Sequence, residues 1–150
     1  MADISPTVTS LSPTNAIDGL LTITGSNFDS SPNETFIFIG DTECSIQTIS
    51  STQIECTLGQ SEAGTFRVLV QITSIGYSNT NVNFTYNLQV DSLSSTQGST
   101  FGGLNLIISG SGFSTSTNVS ICGKACPLLQ SNYSSITCIV SINNYFNSCL

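Results

Sequence analysis

The residues best able to do chemistry in this chain are its six cysteines, which occur without a single histidine. Zinc sites built from thiolates usually contain Cys-x-x-Cys pairs, and the sequence has none. The nearest approach, Cys122 and Cys126, lacks a matching partner pair. Disulfide bonds are therefore the favoured chemistry, and they persist in oxidising compartments. We expect a secreted or cell-surface protein with no metal and no other cofactor.

Four of the cysteines occur at equal intervals. Cys44 and Cys56 have a sequence separation of 12, and so do Cys126 and Cys138. The step from Cys44 to Cys126 therefore equals that from Cys56 to Cys138, and we call it the cysteine offset. Six cysteines allow many connectivities, but a repeated fold should repeat its bridge, which selects the disulfides Cys44–Cys56 and Cys126–Cys138. Each would close a short loop and stabilise a small domain by about 3 kcal/mol.

Four Asn-x-Ser/Thr sequons mark candidate acceptors of N-linked glycans, at Asn33, Asn83, Asn118 and Asn132. Alternation of apolar side chains directs Asn83 and Asn118 outward from predicted strands, while Asn33 and Asn132 fall in predicted loops. All four are predicted to be accessible, as glycan acceptors must be. We expect at least two to be modified if the protein is eukaryotic and secreted; unmodified surface asparagine is the alternative.

The sequence supports neither catalysis nor nucleic-acid binding. The nine acidic residues are scattered, and no spacing predicts a nucleophile beside a base. The chain has two basic residues, Arg67 and Lys124, and a formal net charge of −7. Two isolated cations are too few to neutralise the phosphates of a nucleic acid or an anionic membrane surface. No segment approaches the roughly 20 apolar residues of a membrane span. We expect a non-enzymatic protein that neither binds nucleic acid nor inserts into a membrane.

The predicted elements that would position these residues occur twice in the sequence. Gly25 and Phe28, in GLLTITGSNF, recur as Gly110 and Phe113, in GGLNLIISGSGF, and in both places they precede a pair of spaced cysteines. We expect the glycines to let a central strand end and turn, and the phenylalanines to fold back onto the core. Such self-similarity is typical of repeated domains. The two predicted copies span residues 1–87 and 88–150.

Composition and periodicity predict an all-β fold. Charged residues make up only 7% of the chain, and the abundant Thr, Val, Ile and Phe suit a pleated sheet. Short apolar or alternating runs predict strands in the first copy at residues 7–11, 20–24, 35–39, 45–49, 53–58, 65–72 and 82–87. In the second copy they predict strands at 88–93, 104–109, 118–122, 127–129 and 135–140. Short strands at this spacing are typical of an immunoglobulin-like sandwich.

A candidate contact patch lies in the predicted strand TFIFI. We align Gly40, which ends this strand, with Gly123 in SICGK. The sequence separation of these two glycines is one residue larger than the cysteine offset. On this alignment the two phenylalanines of TFIFI face inward, and Ile37 and Ile39 face outward. Two exposed isoleucines would form an apolar contact surface, unless a loop or the neighbouring domain covers them.

Six stretches of the sequence carry a family resemblance. They are SPTVTSLSPTNAIDGLLTITGSNF, TFIFIGDTECSI and STQIECTL in the first copy, and LQVDSLSSTQGSTFGGLNLIISGSGF, NVSICGKACPL and SSITC in the second. These stretches resemble the IPT/TIG family of immunoglobulin-like domains. The resemblance implies two tandem β-sandwiches of the kind found in plexin-type receptor ectodomains, fibrocystin-like surface proteins and some transcription factors. Because one fold hosts such different functions, it does not decide between them.

The second copy is shorter than the first. The first copy continues from Cys56 to Asn87, whereas the sequence ends at Leu150, soon after the corresponding Cys138. The second sandwich is therefore predicted to lack one or two strands and to have an open groove. Three explanations stay open: the chain is part of a longer array, the run SINNYFN closes the domain, or a neighbouring copy donates its segment 2–11. Cys122 and Cys149 would bridge each other, which is favoured, or reach another chain.

Two functions are compatible with these features. The favoured one is an extracellular structural glycoprotein that builds a fibre, stalk or surface coat. It would assemble head to tail as a homo-oligomer or filament, with Ile4, Val8 and Leu11 on the donated strand and the open second sandwich as its acceptor. The alternative is a part of a receptor-like or adhesion ectodomain that binds a protein ligand. Both functions place the chain outside the cell or at its surface.

Overall fold

The computed structural model describes residues 4–28, 31–79, 81–99 and 101–141. Within these ranges the chain consists of β-strands and their connections and contains no helix. It divides into two compact units, Met1–Asn87 and Leu88–Leu150. The predicted all-β fold is confirmed.

The described part of the first unit is a two-layer sandwich. Its strands are β1 Thr7–Ser12, β2 Asn15–Ala16, β3 Leu20–Ser26, β4 Thr35–Ile39, β5 Thr42–Glu43, β6 Ser45–Ile49, β7 Gln53–Thr57, β8 Gly64–Ile72, β9 Gly76–Tyr77 and β10 Asn83–Tyr86. One sheet has the order β1-β3-β7-β6, and the other has the order β2-β10-β8-β4-β5 with β9 paired to β8. All these pairs are antiparallel except β2 with β10, which is parallel.

The core of the first unit follows from the period-two alternation of its strands. In β8 the side chains of Val68, Val70 and Ile72 are fully buried, because every second residue of a strand points to the same face. From β10, Phe84 and Tyr86 enter the same core with ring centroids 5.1 Å apart in an edge-to-face arrangement. These strands supply the layer that closes the sandwich over the first sheet.

The second unit repeats one layer of this design. Its described strands are β11 Gln89–Leu93, β12 Asn105–Ser111, β13 Ser120–Ile121, β14 Lys124–Ala125, β15 Leu128–Ser131 and β16 Ser135–Ile139. The sheet β11-β12-β16-β15 has the order of β1-β3-β7-β6, and the hairpin β13-β14 corresponds to β4-β5. Counterparts of β8, β9 and β10 do not occur among residues 88–99 and 101–141.

The repeat extends to individual main-chain hydrogen bonds. The amide of Gly25 donates to the carbonyl of Thr52 at 2.9 Å, and the amide of Gly110 donates to that of Ser134 at 2.9 Å. The first strand of each unit, β1 or β11, has a bulge at the corresponding place in its pairing with the next strand. Two copies of one sandwich design therefore follow each other along the chain.

The turn after β3 differs from its prediction in one respect. Gly25 lies within β3 rather than at its end. The left-handed backbone conformation occurs at Asn27, with φ 60°, and at its counterpart Gly112, with φ 83°. Phe28 then folds back into the core at 4% exposure, as expected. Gly25 is instead required for close packing, because a Cβ atom there would collide with the carbonyl oxygen of Thr7.

The two faces of β4 are the reverse of the prediction. Ile37 and Ile39 point into the core at 0% and 1% exposure, whereas Phe36 is 39% exposed on the outer face. The expected patch of two exposed isoleucines does not exist. The prediction was wrong because a shift of one residue in a strand alignment exchanges its two faces.

The turn that follows β4 explains this shift. The counterpart of Gly40 is Cys122 rather than Gly123, because Cys122 is the residue that the cysteine offset relates to Gly40. Gly40 has φ 61° and Cys122 has φ 54°, so both take a left-handed conformation in the tight turn after their strand. In the second unit glycine occupies the next position of the turn, with φ 76° at Gly123.

The N-terminal segment expected to act as a strand donor is the first strand of its own sandwich. Strand β1 pairs with β3, and it buries Val8 and Leu11 in the core of the first unit at 2% and 9% exposure. Ile4 lies before the strand and is 65% exposed. Donation of this segment to another copy stays a prediction, and it would require β1 to leave these contacts.

Candidate functional site

The cysteines form buried cross-links between neighbouring elements of each unit. Cys44, just before β6, is bonded to Cys56 on β7, with their Cα atoms 5.4 Å apart. Cys126 is bonded in the same way to Cys138, at a Cα separation of 5.5 Å. All four residues are at most 2% exposed, so these bonds are part of the cores. Cys122 is also disulfide-bonded, while Cys149, its predicted partner, lies outside the described residues.

All four sequon asparagines are exposed. Asn83 points outward from β10, where the neighbouring Phe84 is fully buried. Asn132 is held in a tight turn, since its Oδ1 accepts hydrogen bonds from the amides of Ser134 at 3.0 Å and Ser135 at 2.9 Å. The geometry leaves each position accessible to modification, and glycosylation stays a prediction.

The side chains able to bind metal are dispersed. No group of three or more His, Cys, Asp or Glu residues is placed to hold an ion in the part of the chain that the structure describes. The same residues include no helix with the length and hydrophobicity needed to cross a bilayer.

The outer face of the larger sheet of the first unit carries an aromatic row. Phe36 on β4 lies directly opposite Gln71 on β8, and Gln71 lies directly opposite Tyr77 on β9. Residues opposed in this way project from the same face of a sheet. Phe36 is 39% exposed and Tyr77 is 61% exposed. We call Phe36, Gln71 and Tyr77 the aromatic row.

A second pair of apolar side chains extends this surface. Phe38 on β4 lies opposite Leu69 on β8, and both are half-buried. Each is two residues along its strand from the aromatic row, so both project from the same face. Sequence reasoning missed this surface because it placed the phenylalanines of β4 inward. The cysteine offset, applied to β4 in place of the glycine match, would have found it.

The second unit has an apolar groove of about 410 Å³. The side chains that line it include Leu106, Ile108, Phe113, Val119, Ile121 and Ile136. They come from the inner faces of β12 and β16, the segment after β12, and the hairpin strand β13. Among the residues that the structure describes, none that lines the groove is charged.

The first unit shows what the groove corresponds to. The counterparts of these residues, among them Leu21, Ile37 and Ile54, are fully buried, and Leu106, Phe113 and Ile136 of the groove are themselves at most 3% exposed. In the first unit β8 and β10 form the layer in front of them. The groove is therefore the inner face of a sandwich whose second layer is represented, among the described residues, by the β13-β14 hairpin alone.

Comparison with known proteins gives a family match over nearly the whole chain. The family model of the IPT/TIG domain matches residues 6–86 and 88–146. Fibrocystin-L of Homo sapiens is 30% identical over 125 residues, which cover 81% of this chain and 3% of the relative. Fibrocystin-L of Mus musculus matches with the same identity and coverage. The chain thus spans about 3% of the length of these curated relatives.

Solved structures with a similar fold include two from different sources. The full extracellular region of plexin A4, domains 1 to 10, matches with a TM-score of 0.50 and 19% identity over 94% of this chain and 13% of that chain. The surface glycan-binding protein PbSGBP-B from Prevotella bryantii matches with a TM-score of 0.56 and 15% identity over 93% of this chain and 37% of that chain. At these identities the likeness concerns the fold alone.

Proposed function

This chain belongs to the IPT/TIG domain family, and on that premise we propose that it is a non-catalytic, ligand-binding part of a receptor-like or adhesion ectodomain. The family resemblance noted in the sequence is confirmed. Of the two predicted functions, this is the alternative rather than the favoured fibre, stalk or coat. The similarity to fibrocystin-L and the fold shared with the extracellular region of plexin A4 support it.

An extracellular location fits the chemistry of the cores. The two bonds Cys44–Cys56 and Cys126–Cys138 are fully buried and close loops of the same length in both units. Structural disulfides of this kind form and persist outside the reducing cytosol. The four exposed sequons are placed as they would be in a secreted glycoprotein.

The aromatic row is the observation that carries the ligand-binding role. Phe36 and Tyr77 present large, rigid side chains to solvent with the polar Gln71 between them. Aromatic residues are enriched at protein interfaces because they bury much area at low conformational cost. The half-buried Phe38 and Leu69 continue the apolar surface beside them. We infer that a protein ligand docks on this sheet face of the first unit.

The charge of the chain indicates what kind of ligand surface fits. With a formal net charge of −7 and two basic residues, the chain attracts a partner whose contact surface is basic. Complementary charge raises the association rate and makes it depend on salt. We expect association to slow as ionic strength rises.

Binding can be tested with chain secreted from eukaryotic cells and presented as a multimer to a panel of cell-surface and secreted ectodomains. We expect at least one partner to bind, and Phe36→Ser together with Tyr77→Ser to weaken that binding at least tenfold, as truncated aromatic anchors do. Leu20→Ser is the matched control, because Leu20 is 58% exposed on the other sheet of the same unit.

Two results would contradict the proposal. The first is the absence of any bound ectodomain when the multimer is folded and oxidised. The second is a partner that binds the Phe36→Ser, Tyr77→Ser variant as tightly as it binds the unmodified chain, which would move the ligand away from the aromatic row.

A further inference from the structure

The outer face of the larger sheet of the first unit carries a candidate glycan acceptor as well as the aromatic row. Of the four sequon asparagines, which all lie in the described part of the chain, Asn83 is the one within a strand. We propose that an N-linked glycan on Asn83 lies across this face and covers the aromatic row, so that it competes with the protein ligand. The covering itself needs no ligand, whereas its effect on binding rests on the proposed function.

Strand pairing fixes the direction of the Asn83 side chain. Asn83 lies directly opposite Arg67 on β8, and the residue after it, Phe84, is fully buried. Arg67, Leu69 and Gln71 alternate along β8 with inward side chains, so these three residues share the outer face. Because opposed residues project from the same face of a sheet, Asn83 lies on the face that carries the aromatic row.

Asn83 and Tyr77 also border β8 on the same side. Strand β4 occupies one side of β8 at Gln71, so β9 pairs with the other side there. On that other side the amide of Val68 donates to the carbonyl of the residue before β10, at 2.9 Å. The carbonyl of Val70 accepts from the amide of the residue after β9, at 2.8 Å. Strands β9 and β10 therefore both lie beside β8 on the side away from β4.

The spacing of a β-sheet gives the distances that the glycan has to bridge. Neighbouring strands lie about 4.8 Å apart, and alternate residues of one strand lie about 6.7 Å apart. Leu69 is one strand and one such step from Asn83, which is about 8 Å. Tyr77 is two steps away on the same side of β8, about 13 Å, and Phe36 is about 16 Å away. A branched glycan of several sugar rings spans these distances.

The side chains along this path match both kinds of surface that a sugar ring presents. The faces of the ring carry C–H groups that pack on apolar and aromatic side chains, and its hydroxyls hydrogen-bond polar groups. Leu69 is apolar and half-buried, and Tyr77 and Phe36 are 61% and 39% exposed. Arg67 is exposed directly opposite the acceptor asparagine, and its guanidinium group supplies hydrogen-bond donors. The glycan thus has partners from its first sugar to the aromatic row.

A covering glycan weakens ligand binding according to the time that it spends on the row. The ligand binds only the uncovered form, so its apparent Kd equals the intrinsic Kd divided by the uncovered fraction. A glycan that covers the row for about two thirds of the time therefore raises the apparent Kd about threefold. Because the glycan is not on the row all the time, the ligand still binds the glycosylated chain.

Nitration of tyrosine by tetranitromethane tests the covering without any ligand. Tyr77 of the secreted, glycosylated chain is expected to react at least threefold more slowly than Tyr77 of the Asn83→Gln variant. Tyr133 in the second unit is the internal reference, and it is expected to react at the same rate in both. Equal rates for Tyr77, or a secreted chain without a glycan on Asn83, would overturn the proposal.

A glycan moved to the other sheet of the first unit is the matched control. Gln53→Asn with Glu55→Thr creates a sequon on β7 of the four-stranded sheet, where Gln53 is exposed and Ile54 is buried. This pair is added to Asn83→Gln, and intact mass verifies the moved glycan. Tyr77 is then expected to react as fast as in the Asn83→Gln variant. Protection of Tyr77 by the moved glycan would show that position on the outer face is not required, and would contradict the proposal.

Ligand affinity separates failure of the covering from failure of the proposed function. A partner found with the multimer panel is expected to bind the glycosylated chain at least threefold more weakly than the Asn83→Gln variant. This factor should agree with the slowing of Tyr77 nitration, because both report the uncovered fraction. Equal affinities despite protection of Tyr77 would overturn the competition. Absence of any partner would contradict the proposed function alone, and the nitration rates would still decide whether the glycan covers the row.

Discussion

The side chain of Asn79 makes both hydrogen bonds to the main chain of Val8. The amide of Val8 donates to Oδ1 of Asn79 at 2.7 Å, and Nδ2 of Asn79 donates to the carbonyl of Val8 at 3.0 Å. Strand β1 has a bulge between Val8 and Ser10, where its regular pairing with β3 is interrupted. The Asn79 side chain thus provides the donor and the acceptor that a neighbouring strand would otherwise provide to the main chain of Val8.

Replacing Asn79 should therefore weaken the first unit. We expect Asn79→Ala to lower the free energy of unfolding by about 2 kcal/mol, because two main-chain groups of the buried Val8 lose their partners. Asn79→Asp keeps the acceptor and loses the donor, so its effect should be smaller. Urea denaturation measures both. An Asn79→Ala variant as stable as the unmodified chain would show that water replaces the side chain.

The glycines inside β3 and β12 should be intolerant of any side chain. A Cβ atom on Gly25 would collide with the carbonyl oxygen of Thr7 and lie 2.6 Å from the ring of Phe28. We expect Gly25→Ala to destabilise the first unit by about 3 kcal/mol, since main-chain atoms cannot move aside. Gly19→Ala is the control: nothing lies within 4 Å of its Cβ position, and its φ of 103° alone should cost about 1 kcal/mol. Equal melting temperatures for the two variants would refute this ranking.

The buried disulfides should contribute strongly to stability. We expect the double variant Cys44→Ala, Cys56→Ala to lose about 3 kcal/mol of unfolding free energy, because the bond closes a short loop in a small core. Calorimetry with and without reductant measures the loss. The unmodified chain should melt at a lower temperature in reductant, and an unchanged melting curve despite titrated free thiols would contradict the expectation.

The exposed sequons should carry glycans in a eukaryotic secretory host. We expect at least two of Asn33, Asn83, Asn118 and Asn132 to be modified, because all four are exposed. Intact mass before and after enzymatic deglycosylation counts the occupied positions. Asn83→Gln and Asn118→Gln, tested singly, should each remove one glycan mass where the position is occupied. A secreted chain with the unmodified mass would show that none of the sequons is used.

Head-to-tail assembly through the N-terminal strand can be tested by holding that strand in place. Ser12 on β1 lies opposite Thr22 on β3, so Ser12→Cys with Thr22→Cys should tie β1 to its own sandwich. If the predicted donation occurs, the unmodified chain sediments as large species and the cross-linked chain sediments as a monomer. A monomeric unmodified chain at high concentration, or assembly that survives the cross-link, would exclude this strand as the donor.

The strands could be predicted well because their signal is local. Every predicted strand overlaps an observed one, since alternation of apolar and polar side chains needs only neighbouring residues. The strands β2, β5, β9 and β14 were missed. Each contains two residues, which is too short for any periodicity, and each exists because a neighbouring strand offers hydrogen-bonding partners.

The surface that carries the proposed function could not be read from the sequence in the same way. The choice between Phe36 and Ile37 as the outward residue depended on one residue of alignment at the turn of Gly40 and Cys122. Both side chains are large and apolar, so composition favours neither face. Tyr77 joins Phe36 through Gln71 because β9 pairs with β8 in a local hairpin and β8 pairs with β4. The pairing of β8 with β4 joins residues far apart in the sequence, which no local pattern links.

By itself the sequence determined the all-β class, the duplicated sandwich design, the two equal cysteine intervals and the outward positions of the sequons. These depend on residue type and short spacing, which act before any long-range contact forms. Tertiary structure alone decided which face of β4 reaches solvent, that Gly25 serves close packing rather than a turn, and that β1 is buried in its own unit. Each of these depends on which strand lies beside which, and strand pairing is a property of the folded chain.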